Sequence, residues 1–286
     1  MSAQRSALAD YLRARRALLT PEDIGRSTEP GRRVKGLRRQ EVAERAGISL
    51  EYYIRLEQGQ KHQVSDQVLA SLARALKLDE SGRAYLYRLA LPSPVTALPA
   101  PRRIGSLVQK LVEQWSATPA YIFDRNQDLV FVNDLAAVLS PGFAEVGNNL
   151  VLMLFDAPAE KRAEENWQSS ARATVAALRF HGDPSDPRLQ EIVGTLSVRD
   201  RDFRQIWATH EARPLTSGLA PNFVAGFGWV DLPWQILEVP GGHFLNVNVA
   251  EPGTPAGDAI RHVATRLQAE STAMEAEERF SLDEAG

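Results

Sequence analysis

The apolar positions of this chain fall into three regimes. They recur at helical spacing through residues 4–91, pass through a middle that opens on alternation and turns helical, and alternate again near the end. Leu8, Tyr11, Leu12 and Leu18 share one side of a helix over residues 4–19, which puts Arg13, Arg15 and Arg16 on its outer side. The stretch LRRQEVAERAGISLEYYIRLEQG, residues 37–59, carries two short apolar faces, Val42 with Ala43 and Tyr53 with Leu56, on either side of Gly47. Glycine there can take the left-handed conformation that closes one helix, and Ser49 supplies the oxygen that caps the next. Ile48 plugs the corner between them. The pattern predicts a helix-turn-helix. A plain αα-corner needs the same glycine and apolar positions, but it has no use for Arg38 and Arg39 at the start of the first helix or for an exposed first turn in the second.

Ser65 opens a helix with Val68, Leu69, Leu72 and Leu76 inward, and Asp79 with Glu80 starts another through Tyr85, Leu86 and Leu89. Residues 92–101, PSPVTALPAP, hold four prolines and no charge and read as a linker. Beyond it, YIFDRNQDLVFV is a hairpin around a polar turn, and a short helix begins near Asn133. Helical spacing returns over residues 160–179, 186–198 and 200–211, with Pro187 in a first turn. Alternation resumes in FVAGFGWV, WQILEV and HFLNVNVA, three strands that form a meander, and Thr254-Pro255 opens a final helix. Strands, helices and strands in that order predict one antiparallel sheet joining both strand groups. The inserted helices then lie over one face and enclose a pocket.

Charge sharpens the division. Residues 1–91 carry 17 Lys+Arg against 11 Asp+Glu, a net of +6, and the remainder carries a net of −9. Duplex phosphates attract the basic half, which is the half with the helix-turn-helix. The connection over residues 20–36 ends in Arg32, Arg33 and Lys35, either a solvated charged face or a phosphate-contacting loop. With 286 residues, about two domains are expected. The absence of cysteine removes disulfides, thiol redox sensing and cysteine metal sites. No run of about 18 apolar residues and no secretion signal is seen, so a cytoplasmic protein without membrane contact is expected.

The segments RVKGLRRQEVAERAGISLEYYIRLEQG, TPAYIFDRNQDLVFVNDLAA, NNLVLMLF, FRQIWATHEARP and NVNVAEPGTP resemble the MmyB-like transcriptional regulators, from about Leu8 to Pro255. The resemblance implies a Cro/repressor-type helix-turn-helix followed by a PAS-like ligand-binding domain, and suggests fatty acids or related acyl compounds as ligands. The recognition-helix residues vary among such regulators, so no operator sequence carries over. The Gly- and Trp-rich GLAPNFVAGFGWVDLPWQIL departs from the strand pair expected there and leaves the ligand open.

For DNA, the candidate base readers are Glu51, Tyr52 and Arg55, with Leu50 and Ile54 on the same exposed side. Arginine can bond guanine O6 and N7 together, and glutamate accepts from cytosine N4. Arg55 can instead pair with Glu51 one turn back. Arg38, Arg39 and Gln58 are the candidate phosphate contacts. For a ligand, Phe203, Ile206, Trp207 and His210 share a helix face, Phe223, Ala225, Phe227 and Trp229 a strand face, and Trp234 with Ile236 the next. Each of these can simply fill a core. Arg204, His210 and Arg213 are the cations or polar groups that an acyl carboxylate would seek.

An enzyme has little support. The five histidines show no metal spacing, and GxSxG, Walker and GxGxxG motifs are missing. Asp200 and Asp202 beside Arg199 and Arg201 read as a helix start. No catalytic residue, metal or resident cofactor is expected beyond a bound fatty acid or other apolar small molecule. The expectation is an all-α helix-turn-helix bundle over residues 1–91, the linker 92–101, an α+β PAS-like domain with an antiparallel sheet over 102–254, and a helix and tail over 255–286. Its partners are double-stranded DNA, a small apolar ligand and a second copy in a homodimer. The alternative is a DNA-binding regulator whose second domain only dimerises or binds a protein partner.

Overall fold

The computed structural model describes residues 2–27, 31, 32, 34–60, 64–91, 104–162 and 165–284. The Pro-rich stretch 92–101 and Arg33 of the basic run lie outside the described residues. In chain order the elements begin with α1 (Ser2–Leu18), a 3-10 turn (Glu22–Ile24), α2 (Arg39–Ala46), α3 (Leu50–Glu57), α4 (Asp66–Ala75) and α5 (Glu80–Ala90). There follow α6 (Ser106–Glu113), β1 (Ala120–Phe123), β2 (Leu129–Val132), α7 (Asp134–Leu139) and α8 (Leu150–Phe155). Then come α9 (Ala159–Arg162), α10 (Glu165–His181), α11 (Pro187–Arg199) and α12 (Arg201–Ala208), before β3 (Ser217–Val224), β4 (Gly228–Val239), β5 (His243–Val247) and α13 (Pro255–Glu284). Short polar side chains set the helix starts. Ser49, Ser65, Asp79, Asn133, Asp186 and Asp200 each accept a backbone N–H from the first turn they precede. The helices α6 and α8 are additions to those expected from the sequence.

By packing, the chain forms two compact units, one of Met1–Pro99 with Leu154–Pro214 and one of Ala100–Met153 with Leu215–Gly286. The first unit is all helical. Its core gathers Tyr11, Leu12, Leu37, Val42, Tyr53, Leu56, Leu69, Leu72, Leu76 and Leu86 from the N-terminal helices, and Phe180 of α10 packs against it. The Tyr85 and Phe180 rings lie 6.2 Å apart. Arg88 of α5 donates to the carbonyls of Phe180 and Gly182, the latter at 2.7 Å. The inserted helical block was expected over the sheet, and this corrects it: the block packs with the N-terminal helices. An amphipathic helix states that it has an apolar side, not which surface covers that side.

The second unit is built on one antiparallel sheet of order β2-β1-β5-β4-β3. The two strand groups join where β1 pairs with β5, Ala120 opposite Val247 and Ile122 opposite Leu245. Every residue of the central β5 is buried. Ala120, Ile122, Leu245 and Val247 pack with Val112 of α6. Val230 and Leu232 pack with Leu135 and Leu139 of α7 and with Ala259, Ile260 and Val263 of α13. The β4–β5 register puts Leu245 and Val247 on the side of Leu237 and Gln235, and strand alternation puts Val230 and Leu232 on the other. Helices therefore cover both faces rather than one. The sequence FVAGFGWV, read as a single strand, breaks at Ala225–Phe227 into the turn between β3 and β4, where Phe223 pairs with Trp229. No helix among the described residues is long and apolar enough to cross a membrane.

Candidate nucleic-acid interface and ligand cavity

The corner between α2 and α3 is locally determined. Gly47 ends α2 at φ 65°, its N–H bonded to the carbonyls of Ala43 and Glu44, and Ser49 Oγ accepts the Tyr52 N–H at 3.1 Å. Tyr53, Leu56 and Glu57 face inward, and Ile48 and the half-buried Tyr52 pack at the edge of the core. This leaves Glu51, Arg55 and Gln58 exposed at i, i+4 and i+7, one stripe of α3. Among the described residues Glu51 and Arg55 make no ion pair with each other, so the one-turn pairing considered from sequence is not formed. Gln58 Oε1 accepts from Gln60 Nε2 at 2.9 Å.

Behind the stripe lies a charged brace. Glu57, with 1 % of its side chain exposed, accepts from Arg16 Nε and from Arg39 Nε, both at 2.6 Å. Arg13 donates to the Glu57 carbonyl at 2.7 Å, and Arg16 to the Leu37 carbonyl at 2.8 Å. Burial pushes the Glu57 carboxyl up, but the two guanidinium partners outweigh it and hold the group below the usual carboxylate range. Arg16, expected on the outer side of α1, thus points into the bundle, because a buried carboxylate needs a cation. Arg39 keeps half its side chain exposed while one N–H is committed to Glu57. Arg38 is exposed, and its backbone N–H donates to Glu41 Oε2 at 2.6 Å. Arg32 holds Glu41 in a two-pronged pair at 2.7 and 2.6 Å and donates to the Gly36 carbonyl, so it is a structural cation rather than part of a phosphate loop. The Arg32 hydrogen bonds hold Glu41 at about 2.

The first unit also contains a cavity of ≈ 300 Å³. Ser6, Ala7 and Asp10 of α1 and Tyr85 of α5 line one side; Arg179, Leu189, Gln190, Val193, Trp207 and His210 line the other. The Arg179 guanidinium lies 3.7 Å over the Trp207 ring and donates to the Trp207 carbonyl, with Nη1 at 3.2 Å from His210 Nδ1. Beneath Trp207, Phe203 is stacked at 5.7 Å and is itself fully buried against Phe155. His210 sits at φ 52°, a left-handed backbone that turns the chain out of α12. Burial, and then the Arg179 charge, pushes His210 down to about 4, so its ring is neutral at neutral pH.

Residues 104–263, more than half of the chain, match the MmyB-like transcription regulator ligand binding domain, and residues 7–86 match a helix-turn-helix domain. The chain belongs to the MmyB-like transcription regulators. No curated protein matches the chain. A DNA-binding domain and a small-molecule domain on one chain make this MmyB-like protein a transcription regulator, and both families are regulator domains rather than enzymes.

In the MmyB-like regulator, the ligand candidates chosen from sequence separate. Trp207 and His210 line the cavity, and Phe203 supports Trp207 from behind. Arg204 does not reach the cavity: it donates to the carbonyls of Ser197 and Val198 at 2.9 and 3.1 Å, closing the end of α11. Arg213 is exposed and pairs with Glu211 at 3.0 Å. Both placements have one cause, since a cation near a helix end is drawn to its free carbonyls or to the nearest carboxylate. Phe227, Trp229 and Trp234 belong to the second unit. Phe227 lies in the β3–β4 turn 5.4 Å from the His262 ring, and Trp229 is exposed beside Phe223. Trp234 covers Gly218, where a Cβ would come within 2.4 Å of the indole. Sequence reasoning missed Arg179, Tyr85 and Asp10 at the cavity and Glu57 in the brace. Glu57 left a signal, an acid at i+4 from Tyr53 on an otherwise apolar face. Arg179 left none.

Proposed function

We propose that this regulator binds its operator as a homodimer, reading bases with Glu51, Tyr52 and Arg55 and gripping phosphates with Arg38, Arg39 and Gln58. The observation that carries the proposal is the exposed stripe of α3: Glu51 and Arg55 meet solvent with no ion-pair partner among the described residues, on a helix whose back is fixed by the Glu57 brace. A charged group with no internal partner is free to bond a base edge without first breaking a contact. The ligand in this proposal is a small, largely apolar molecule of acyl type. Support comes from the cavity walled by Trp207 and His210, at the lower end of the size range of ligand pockets. Native mass spectrometry of the purified full-length protein, followed by denaturing extraction, tests the ligand. One acyl species per subunit is expected.

The alternative, a second domain that serves dimerisation or a protein partner, has an observation of its own. Leu219, Phe223, Trp229 and Leu237 are all exposed by half or more on the β3–β4 hairpin, and register and alternation place them on one face. A dimer free of small molecules in the same experiment would favour that reading.

A further inference from the structure

Arg179 is 8 % exposed, its Nε has no acceptor, and no carboxylate lies within ion-pair distance among the described residues. A guanidinium is charged at any ordinary pH, and a buried charge is normally paired. Here its neighbours are a carbonyl, a neutral imidazole, an indole face and the hydroxyl of Tyr85. Asp10 also lines the cavity, but its carboxylate is half-exposed and is engaged by Arg13. Ser6 and Gln190 add neutral polar groups to the walls, and Ala7, Leu189 and Val193 supply an apolar stretch.

We propose that this cavity binds a small, singly charged organic anion, whose carboxylate supplies the acid that Arg179 lacks and whose apolar body lies along Ala7, Leu189 and Val193. The inference rests on the reading that this regulator binds a small molecule, and it adds where and with what charge. One guanidinium suits one negative charge, and a second would face Asp10 with no cation of its own. The volume corresponds to about ten water molecules at roughly 30 Å³ each, the scale of a single-ring or short-chain carboxylate. Its consequence lies in where the walls come from. Ala7, Asp10 and Tyr85 fall within the helix-turn-helix match, and Arg179, Leu189, Val193, Trp207 and His210 within the ligand-domain match. A bound anion therefore touches α1, whose Arg13 and Arg16 hold Glu57 of the recognition helix.

The test uses the full-length protein with octanoate and benzoate as probes and octanamide and benzamide as neutral controls, read by titration calorimetry. At least one carboxylate should bind and its amide should not. Arg179→Gln should weaken binding by about tenfold or more, the loss expected for a charge-assisted hydrogen bond, and Arg179→Lys should recover part of it. Val193→Trp, at a half-buried position on α11, should fill the cavity and abolish binding while the far-ultraviolet spectrum is unchanged, which keeps the test decisive if Arg179→Gln fails to fold. Hydrogen exchange should slow together in residues 6–10, in α5 and in α10–α12. Equal binding of acid and amide, full affinity in Arg179→Gln or in a folded Val193→Trp, protection that leaves α1 and α5 untouched, or no binding of either carboxylate would each overturn this inference. A small molecule co-purifying alongside any of those results would leave the broader ligand reading standing. A protein with neither would lose both.

Discussion

Arg55 and Glu57 sit two residues apart on α3, one exposed and without an ion pair among the described residues, the other buried between Arg16 and Arg39. Their substitutions should fail differently. Arg55→Ala leaves the core untouched and should cost about 1–3 kcal/mol of discrimination between a selected operator and a random duplex, measured by fluorescence anisotropy. An equal fall on both duplexes would remove it as a base reader. Glu41, Glu57 and His210 contribute to the response to acid, and Asp200 and His243 are shifted in the same direction. Glu41 lies at about 2 in the folded chain against 4.5 unfolded, and Glu57 is shifted in the same direction. Their contribution is present above about pH 4.5 and lost as pH falls toward 2. His210 also loses stability on acidification, but earlier: the unfolded imidazole takes its proton near 6.5 and the folded one only at about 4. Urea midpoints should therefore fall between pH 6.5 and 4 in the native chain, with His210→Gln making that limb shallower, His243 accounting for the rest, and Glu41→Gln making the one below it shallower.

Among the elements, the helix-turn-helix was the most legible, because its signals are local. Gly47 and Ser49 terminate and start helices through bonds to residues at most four positions away. Gly47→Ala should lower stability by about 1 kcal/mol in chemical denaturation, the cost of a left-handed backbone for an L side chain. No atom lies within 4 Å of the added Cβ, so packing contributes nothing to that loss. The sheet was legible too, since strands in separate groups must share one sheet to bury their apolar faces. What the sequence could not indicate was the partner of an apolar helix side. The periodicity of α10 and α12 is the same whether they cover a sheet or the bundle of α1 and α5. Arg204 and Arg213 show the same limit for charge, since what decides a cation's role is the nearest acceptor in space. Glycine misled once, at Gly226, where alternation ran through a turn and two strands read as one.

For the molecule as a whole, an operator read by two copies places two α3 helices about one duplex turn, roughly 34 Å, apart. Sedimentation velocity at micromolar concentration should give a dimer, and footprinting should give two half-sites one turn apart; a monomer protecting a single half-site would count against it. The apolar face of the β3–β4 hairpin is the test position for that association, and Trp229→Lys should shift sedimentation toward monomer without altering the helical first unit. The pairing of β1 with β5 bears on how the chain is made. The helical unit is complete once residue 214 has been synthesised, whereas the β1–β2 hairpin must wait for residue 247 before its second neighbour exists. Contacts so distant in sequence form late. On the ribosome the helices therefore assemble first, and Ala120–Phe123 remains an open edge, a place for a chaperone to bind, until the end of translation is near.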